Sequence, residues 1–191
     1  MNSLSDIGLV KMDILGLRNL TLISNLLDKI QIMENKNTYI QKINFEDPKT
    51  YAFLEKGGTA GIFQLSSEGM TSLLKLMKPK NIEDIAITIS LFRPGPMKNI
   101  HAFLQRKKQK EKVTYLYPAF EPILKNTMGL PVFQEQIIQM VQKFVNFNYS
   151  QSDILRKAIS KKDQGLATQF KKIFFQAAKK QNHSLEITTV V

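Results

Sequence analysis

The sequence contains no cysteine and only two histidines among its 191 residues. The lack of thiols excludes a disulfide scaffold, a thiolate zinc site and a cysteine nucleophile. His101 and His183 have no metal-ligand spacing, so neither a His-rich metal site nor a serine triad is indicated.

Long apolar runs are absent as well. No stretch approaches the ~20 consecutive apolar residues of a membrane span, and Met1 to Lys11 contains Asp6 and no apolar run typical of a signal peptide. We therefore expect neither export nor insertion into a membrane, and a cytoplasmic location. The hydrophobic content of 43% is enough for a packed core, and this length predicts one or two globular domains.

Acidic residues are scarce in the second half of the chain. The formal net charge is +11, and residues 1–97 hold 11 basic and 10 acidic side chains, whereas residues 98–182 hold 16 basic and 5 acidic ones. A local surplus of this kind favours an anionic partner such as nucleic acid, a nucleotide or a membrane surface. Charge alone does not choose among them.

One basic run lies between residues 106 and 112. Arg106, Lys107, Lys108, Lys110 and Lys112 are interrupted only by Gln109 and Glu111. Such a run is typical of a solvated helix end or loop, and it also fits a strip of DNA-phosphate contacts. Both interpretations stay open from the residues alone.

The first regular element predicted is a strand followed by a helix. Polar and apolar residues alternate from Leu9 to Ile14, which predicts a strand with Lys11 and Asp13 on one face. Helical spacing then predicts a helix over 17–33. An exposed Lys and Asp on a half-buried strand need no function, but a carboxylate there could also hold Mg²⁺ beside a phosphate-binding lysine.

Capping residues and apolar periodicity predict that the rest of the chain is mainly helical. The predicted helices cover 48–55, 67–78, 82–92, 99–109, 119–126, 134–144, a helix opened by Ser150, and 165–180. The final residues, 185–191, have strand preference but no evident partner.

Two basic sites have local features that favour phosphate binding. Arg93 precedes Pro94-Gly95-Pro96, so its guanidinium is held on a rigid exit and loses little freedom on meeting a phosphate. Arg156, Lys157, Lys161 and Lys162 follow within two helical turns, where a bound anion would relieve their repulsion. A solvated surface is the alternative for each.

Five segments, read in order, resemble one family. They are Gly8-Leu-Val-Lys-Met-Asp-Ile-Leu-Gly-Leu-Arg18, Gly61-Ile-Phe-Gln-Leu65 with Glu68-Gly-Met70, Leu91-Phe-Arg-Pro-Gly-Pro-Met97, Phe133-Gln-Glu-Gln136, and Asp153-Ile-Leu-Arg-Lys-Ala-Ile-Ser-Lys-Lys162. Together they are similar to the alpha subunit of bacterial DNA polymerase III, a C-family replicative polymerase, in its DnaE form.

The resemblance implies a mainly α chain with a short β/α end of a nucleotidyltransferase-like palm. Residues 1–45 would be the last part of the palm, 46–182 the helical fingers, and 183–191 a tail outside the family pattern. Asp13 matches the third catalytic aspartate, a ligand in a two-Mg²⁺ site. The family's other two metal-binding aspartates lie in an upstream acidic motif that has no counterpart before Gly8.

The resemblance also assigns roles to the basic residues. Lys11, Arg93, Arg156, Lys161 and Lys162 match positions near the phosphates of the incoming nucleotide. The run Arg106 to Lys108 is the predicted DNA contact.

The function implied is template-directed nucleotidyl transfer in DNA replication. Primer–template DNA and deoxynucleoside triphosphates would be the substrates, and a sliding clamp and a proofreading exonuclease the replicase partners. With one catalytic aspartate, the chain alone is expected to be inactive. The alternatives are a non-catalytic DNA-binding module and a decayed polymerase remnant.

Overall fold

The computed structural model of the protein describes residues 7–9, 12–161 and 164–190, and these ranges are helical without a β-strand. The α-helices are α1 (Arg18–Glu34), α2 (Pro48–Glu55), α3 (Glu68–Met77), α4 (Ile82–Leu91), α5 (Ile100–Lys107), α6 (Glu121–Leu124), α7 (Gln134–Val145), α8 (Tyr149–Lys161), α9 (Gln164–Lys180) and α10 (Leu185–Val190). Short 3-10 segments cover Ile40–Lys42, Pro96–Asn99, Pro118–Phe120 and Lys125–Thr127. The prediction of a mainly helical chain is confirmed.

The predicted strand over residues 9–14 is not formed in the part of it that is described. Leu9 and Met12 to Ile14 are irregular, and Met12 and Ile14 are 84% and 98% exposed. A strand is stable only when a neighbouring strand pairs its N–H and C=O groups, and the described ranges contain none. The alternation of polar and apolar residues predicted a strand, but no partner strand is present in the described ranges to pair with it. The predicted β/α end of a palm is therefore not seen in the described residues.

Side-chain caps start several helices where the sequence predicted them. The Ser67 hydroxyl accepts a hydrogen bond from the Met70 amide at 3.4 Å, and the Asn81 side chain accepts one from the Asp84 amide at 2.8 Å. Helix α8 differs, because Asn148 rather than Ser150 caps it. Its carboxamide and that of Gln151 each accept the other's backbone N–H, at 2.9 and 3.1 Å.

The chain divides into two compact units, the first ending at Phe45 and the second beginning at Glu46. In the first unit, α1 buries none of its residues completely. Leu20, Leu22 and Leu26 are 61%, 68% and 52% exposed. The helix ends at Asn35, which adopts the left-handed conformation with φ of 51°.

The first half of the second unit is built around α3. This helix buries residues at positions 70, 73, 74 and 77, the spacing of a helix that packs on two sides. Met70 and Leu74 join a cluster with Tyr51, Leu54 and Leu65. On the other side, Leu73 and Met77 pack in a cluster with α4 and α5.

The second half of this unit has an aromatic core centred on α7. Phe144 is 1% exposed and packs near Phe120, and its ring stacks on His183 with centroids 4.0 Å apart. The His183 Nε2 donates a hydrogen bond to the Phe144 carbonyl at 2.6 Å. These contacts join α7 to the turn after α9.

The last residues are helical rather than extended. Ser184 starts α10 by accepting hydrogen bonds from the Ile187 and Thr188 amides, and Ile187 packs against the aromatic core. The strand preference of β-branched residues in this segment is therefore overridden by a capped start and tertiary packing.

None of the described helices combines the length and hydropathy needed to cross a membrane.

Candidate nucleic-acid interface

Arg93 lies two residues beyond the end of α4, on a turn built by Pro94, Gly95 and Pro96. The Met97 amide donates to the Arg93 carbonyl at 3.1 Å and closes the turn. Gly95 has φ of 104° and ψ of −75°, a conformation that essentially only glycine adopts. The Arg93 side chain is exposed, and no carboxylate of the described residues pairs with it. Its guanidinium is thus presented to solvent from a rigid turn.

Arg156 is held by two neighbours on different helices. Its Nε donates to Asp153 Oδ1 at 2.9 Å, and its Nη2 lies 2.8 Å from the same oxygen. Its Nη1 donates to Gln134 Oε1, at the start of α7, at 2.8 Å. A guanidinium has five N–H donors, so two remain for a further acceptor. The side chain is 21% exposed, so part of it is open to solvent.

Arg106 is largely buried and used within the fold. Its Nε donates to Glu111 Oε1 and its Nη1 to the Met128 carbonyl, both at 2.9 Å, and the side chain is 13% exposed. Gly129 allows this approach, since a Cβ there would lie 2.8 Å from the Thr114 carbonyl oxygen and 3.3 Å from Arg106 Nη1. The residue therefore ties the end of α5 to the loop after α6.

Lys107 and Lys108 differ in their surroundings. Lys107 Nζ lies 2.6 Å from Asp84 Oδ1, and both side chains are mostly covered. Lys108 is exposed, as are Lys110 and Lys112. The basic run thus divides into Arg106 and Lys107, which pair inside the fold, and three lysines in solvent. The predicted DNA contact by residues 106–108 stays a prediction.

The Phe133-Gln-Glu-Gln136 segment has structural functions that sequence reasoning missed. Gln136 is 7% exposed, and its Oε1 accepts the Val132 and Phe133 amides at 2.9 and 3.0 Å. Its Nε2 donates to the Ile123 carbonyl at 3.0 Å and to Thr127 Oγ1 at 2.9 Å. The available signal in the sequence was a glutamine three residues after a helix boundary, as in a capping box.

Sequence reasoning also missed Gln134 and Asp153, which orient Arg156 through the hydrogen bonds described above.

Asp13 is the one predicted metal ligand, and it is exposed. Within the described ranges no three His, Asp or Glu side chains are grouped so that they could hold a metal ion. A Mg²⁺ pair needs several oxygen ligands, so the donors present here do not make the site.

Three of the predicted phosphate-binding residues lie outside the described residues or at their border. Lys11 and Lys162 lie outside the described residues, and Lys161 is the last residue of α8. Arg93 and Arg156 are therefore the predicted phosphate ligands whose side chains are placed.

Comparison with known proteins identifies the class of this chain. Residues 19–182 match the family described as bacterial DNA polymerase III alpha subunit finger domain. Over 188 residues, 98% of the chain, it is 44% identical to DNA polymerase III subunit alpha of Staphylococcus aureus strain COL. Over all 191 residues it is 41% identical to DNA polymerase III subunit alpha of Bacillus subtilis strain 168.

The chain thus belongs to the finger-domain family of the bacterial DNA polymerase III alpha subunit. The resemblance inferred from the five segments is confirmed. The chain spans 18% of the Staphylococcus aureus relative and 17% of the Bacillus subtilis one. The alignment with the latter includes residues 183–191, which the family match leaves out.

Proposed function

We propose that this chain is the fingers part of a DNA-directed DNA polymerase and binds the triphosphate of the incoming deoxynucleotide. In the reaction, a primer 3′-hydroxyl attacks the α-phosphate, DNA grows by one nucleotide and pyrophosphate leaves. The observation that carries the proposal is the finger-domain match over residues 19–182.

In this proposal Arg93 and Arg156 bind phosphate oxygens. Arg93 has all five guanidinium N–H groups available on a preordered turn, so little side-chain entropy is lost when it binds. Arg156 offers its two remaining donors, while Asp153 and Gln134 fix the plane of the guanidinium. As the resemblance implies, Lys11, Lys161 and Lys162 are proposed to add positive charge near the phosphates of a nucleotide.

Asp13 is proposed to supply one carboxylate to the Mg²⁺ ions of the polymerase. Because the described donors do not complete that site, the remaining carboxylates must come from outside the residues described here. Residues 1–45 are proposed to belong to the palm and residues 46–182 to the fingers, with the boundary where the two compact units divide; the finger-domain match extends across this boundary to residue 19. This chain alone is expected to give no template-dependent primer extension.

Lys108 is proposed to contact the phosphates of primer–template DNA, with Lys110 and Lys112 beside it. Arg106 and Lys107 add charge near this strip, while their pairs with Glu111 and Asp84 shape it. A role in DNA replication implies a cytoplasmic location. As the resemblance suggested, a sliding clamp and a proofreading exonuclease would be its partners.

The test is thermal unfolding of the chain with Mg²⁺ and either dATP or dAMP. A ligand that binds only the folded state raises Tm, and the triphosphate should do so more than the monophosphate. Arg93→Ala should weaken dATP binding at least about tenfold, because a hydrogen bond to a charged group contributes roughly 1.5–3 kcal/mol. Lys49→Ala, an exposed lysine on α2, serves as the control and should leave dATP binding unchanged.

Two results would contradict the proposal. Equal stabilisation by dATP and dAMP would mean that the chain does not select a triphosphate. DNA binding without any effect of dATP would favour the non-catalytic DNA-binding module instead.

A further inference from the structure

A cavity of about 420 Å³ lies in the second unit, and Arg93 is not among the residues that line it. Helices α7, α8, α9 and α10 each contribute to its wall. Its size is within the range of roughly 300–1,000 Å³ that small-molecule sites occupy. Nothing in the proposed polymerase function uses it.

The wall is apolar and mostly covered. Met140 and Val141 are 8% and 6% exposed, and Leu155, Phe174 and Phe175 are half-buried. Apolar walls that face an open space lose dispersion contacts, and water in such a space finds few hydrogen-bond partners. An apolar group would therefore be favoured over water there.

The polar groups at the cavity are few and nearly all are used. The Thr188 hydroxyl donates to the Ser184 carbonyl and the Thr189 hydroxyl to the Leu185 carbonyl, both at 2.7 Å. Neither hydroxyl hydrogen is left for a ligand.

Lys171 is the exception, and it gives the cavity one positive charge. Its side chain is exposed, and Nζ lies 5.9 Å from the centroid of the Phe175 ring. In the part of the chain that the structure describes, no carboxylate pairs with it, and none lines the cavity. Helix α9 itself has no acidic residue. A single ammonium group therefore lies at the rim of an apolar space.

We propose that this cavity binds a small monocarboxylate with an apolar body, such as a medium-chain fatty acid. The chain or ring would fill the space between Met140, Val141 and Phe174, and the carboxylate would pair with Lys171. A nucleotide fits less well, because the polar edge of its base would be buried without donors. This inference is independent of the proposed polymerase function.

The test is calorimetric titration of the full chain with decanoate below its micelle concentration. One saturable site is expected. Lys171→Gln should weaken decanoate binding about fivefold, the effect of one partly exposed ion pair, while the adjacent exposed Lys172→Gln should change it less than twofold. Decanol, which has no charge, should bind the wild type and Lys171→Gln equally.

A second pair of variants tests the location of the site. Thr189→Trp places a large ring at an exposed position of the wall and should abolish binding of both decanoate and decanol. Glu186→Trp, exposed on the same helix but away from the wall, should leave both unchanged. Circular dichroism checks that each variant is folded.

Three results would overturn the proposal. They are the absence of a saturable decanoate site, equal weakening by Lys171→Gln and Lys172→Gln, and binding that survives Thr189→Trp in a folded protein. Displacement of decanoate by dAMP at lower concentration would show that the cavity prefers a nucleotide, which also contradicts it.

Discussion

At the scale of single residues, the charged and polar side chains of the matched segments separate into two kinds. Arg93 is exposed and has no carboxylate partner among the described residues, so it is available to a ligand. Arg106, Lys107 and Gln136 are covered and hydrogen-bonded inside the fold. Residue type alone could not separate the two kinds, because burial depends on how distant helices pack.

Gln136 gives the sharpest stability prediction at this scale. Gln136→Met keeps the volume but leaves the Val132 and Phe133 amides and the Ile123 carbonyl without their partner. The free energy of unfolding should fall by about 3 kcal/mol, since each buried group left unpaired costs roughly 1–3 kcal/mol. Urea unfolding measures it.

Gln139→Met is the matched control, because Gln139 is exposed on the same helix. It should change the free energy of unfolding by no more than about 0.5 kcal/mol. Equal losses in the two variants would mean that the Gln136 hydrogen bonds do not stabilise the fold.

At the scale of elements, helix positions follow from the sequence while the extended segment does not. Caps and periodicity are local, so Ser67 and Asn81 identify the starts of α3 and α4 without tertiary information. Residues 9–14 alternate as a strand would, but pairing depends on a partner elsewhere. The α10 segment shows the converse, because Ser184 and core packing overcome its strand preference.

The start of α2 gives a pH prediction. The pKa of Asp47 is lowered, chiefly because the Thr50 hydroxyl donates to its carboxylate at 2.7 Å and then because the Lys49 amide does at 3.1 Å. Since the folded pKa lies below the unfolded one, the stabilisation is complete above the unfolded pKa and is lost as pH falls through the folded pKa. This window lies below about pH 4.

Asp47→Asn keeps a capping oxygen without the charge. The stability of the wild type relative to Asp47→Asn should therefore fall in that acid window, as measured by unfolding at a series of pH values. A constant difference down to pH 2 would contradict the assignment. A carboxyl NMR titration should place the Asp47 pKa below that of an ordinary aspartate.

The turn after α4 gives a second prediction at this scale. Gly95→Ala forces a side chain into a backbone conformation with φ of 104° and should cost about 1–3 kcal/mol of unfolding free energy. Thermal unfolding measures the loss, and Ser72→Ala, an exposed change on α3, should have little effect. An unchanged Tm for Gly95→Ala would mean that the turn is not rigid.

At the scale of the whole molecule, the family is what the sequence predicted best, while the anionic partner inferred from the charge distribution stays a prediction. The surplus in residues 98–182 was visible by counting, and the family follows from the five ordered segments. Counting could not show which basic side chains are already paired within the fold. Their partners are Asp84, Glu111, Asp153 and Gln134, which lie up to 23 residues away along the chain.

Salt dependence of DNA binding tests this charge at the same scale. Affinity for primer–template DNA should fall steeply with salt, with a slope of about 0.9 per phosphate contact. The triple change of the exposed Lys108, Lys110 and Lys112 to Ala should flatten that slope. The same change at Lys49, Lys56 and Lys75 alters net charge equally and should leave the slope nearly unchanged. Equal slopes for the two triple variants would contradict the assignment.

The most direct measurement is primer extension by the Bacillus subtilis alpha subunit with this chain in place of its matched segment, since that alignment covers all 191 residues. We predict template-dependent extension, with kcat/KM for the incoming nucleotide falling at least about tenfold in Arg93→Ala and unchanged in Lys49→Ala. A folded chimaera that binds primer–template but does not extend it, or one in which Arg93→Ala extends equally well, would contradict the proposed fingers function.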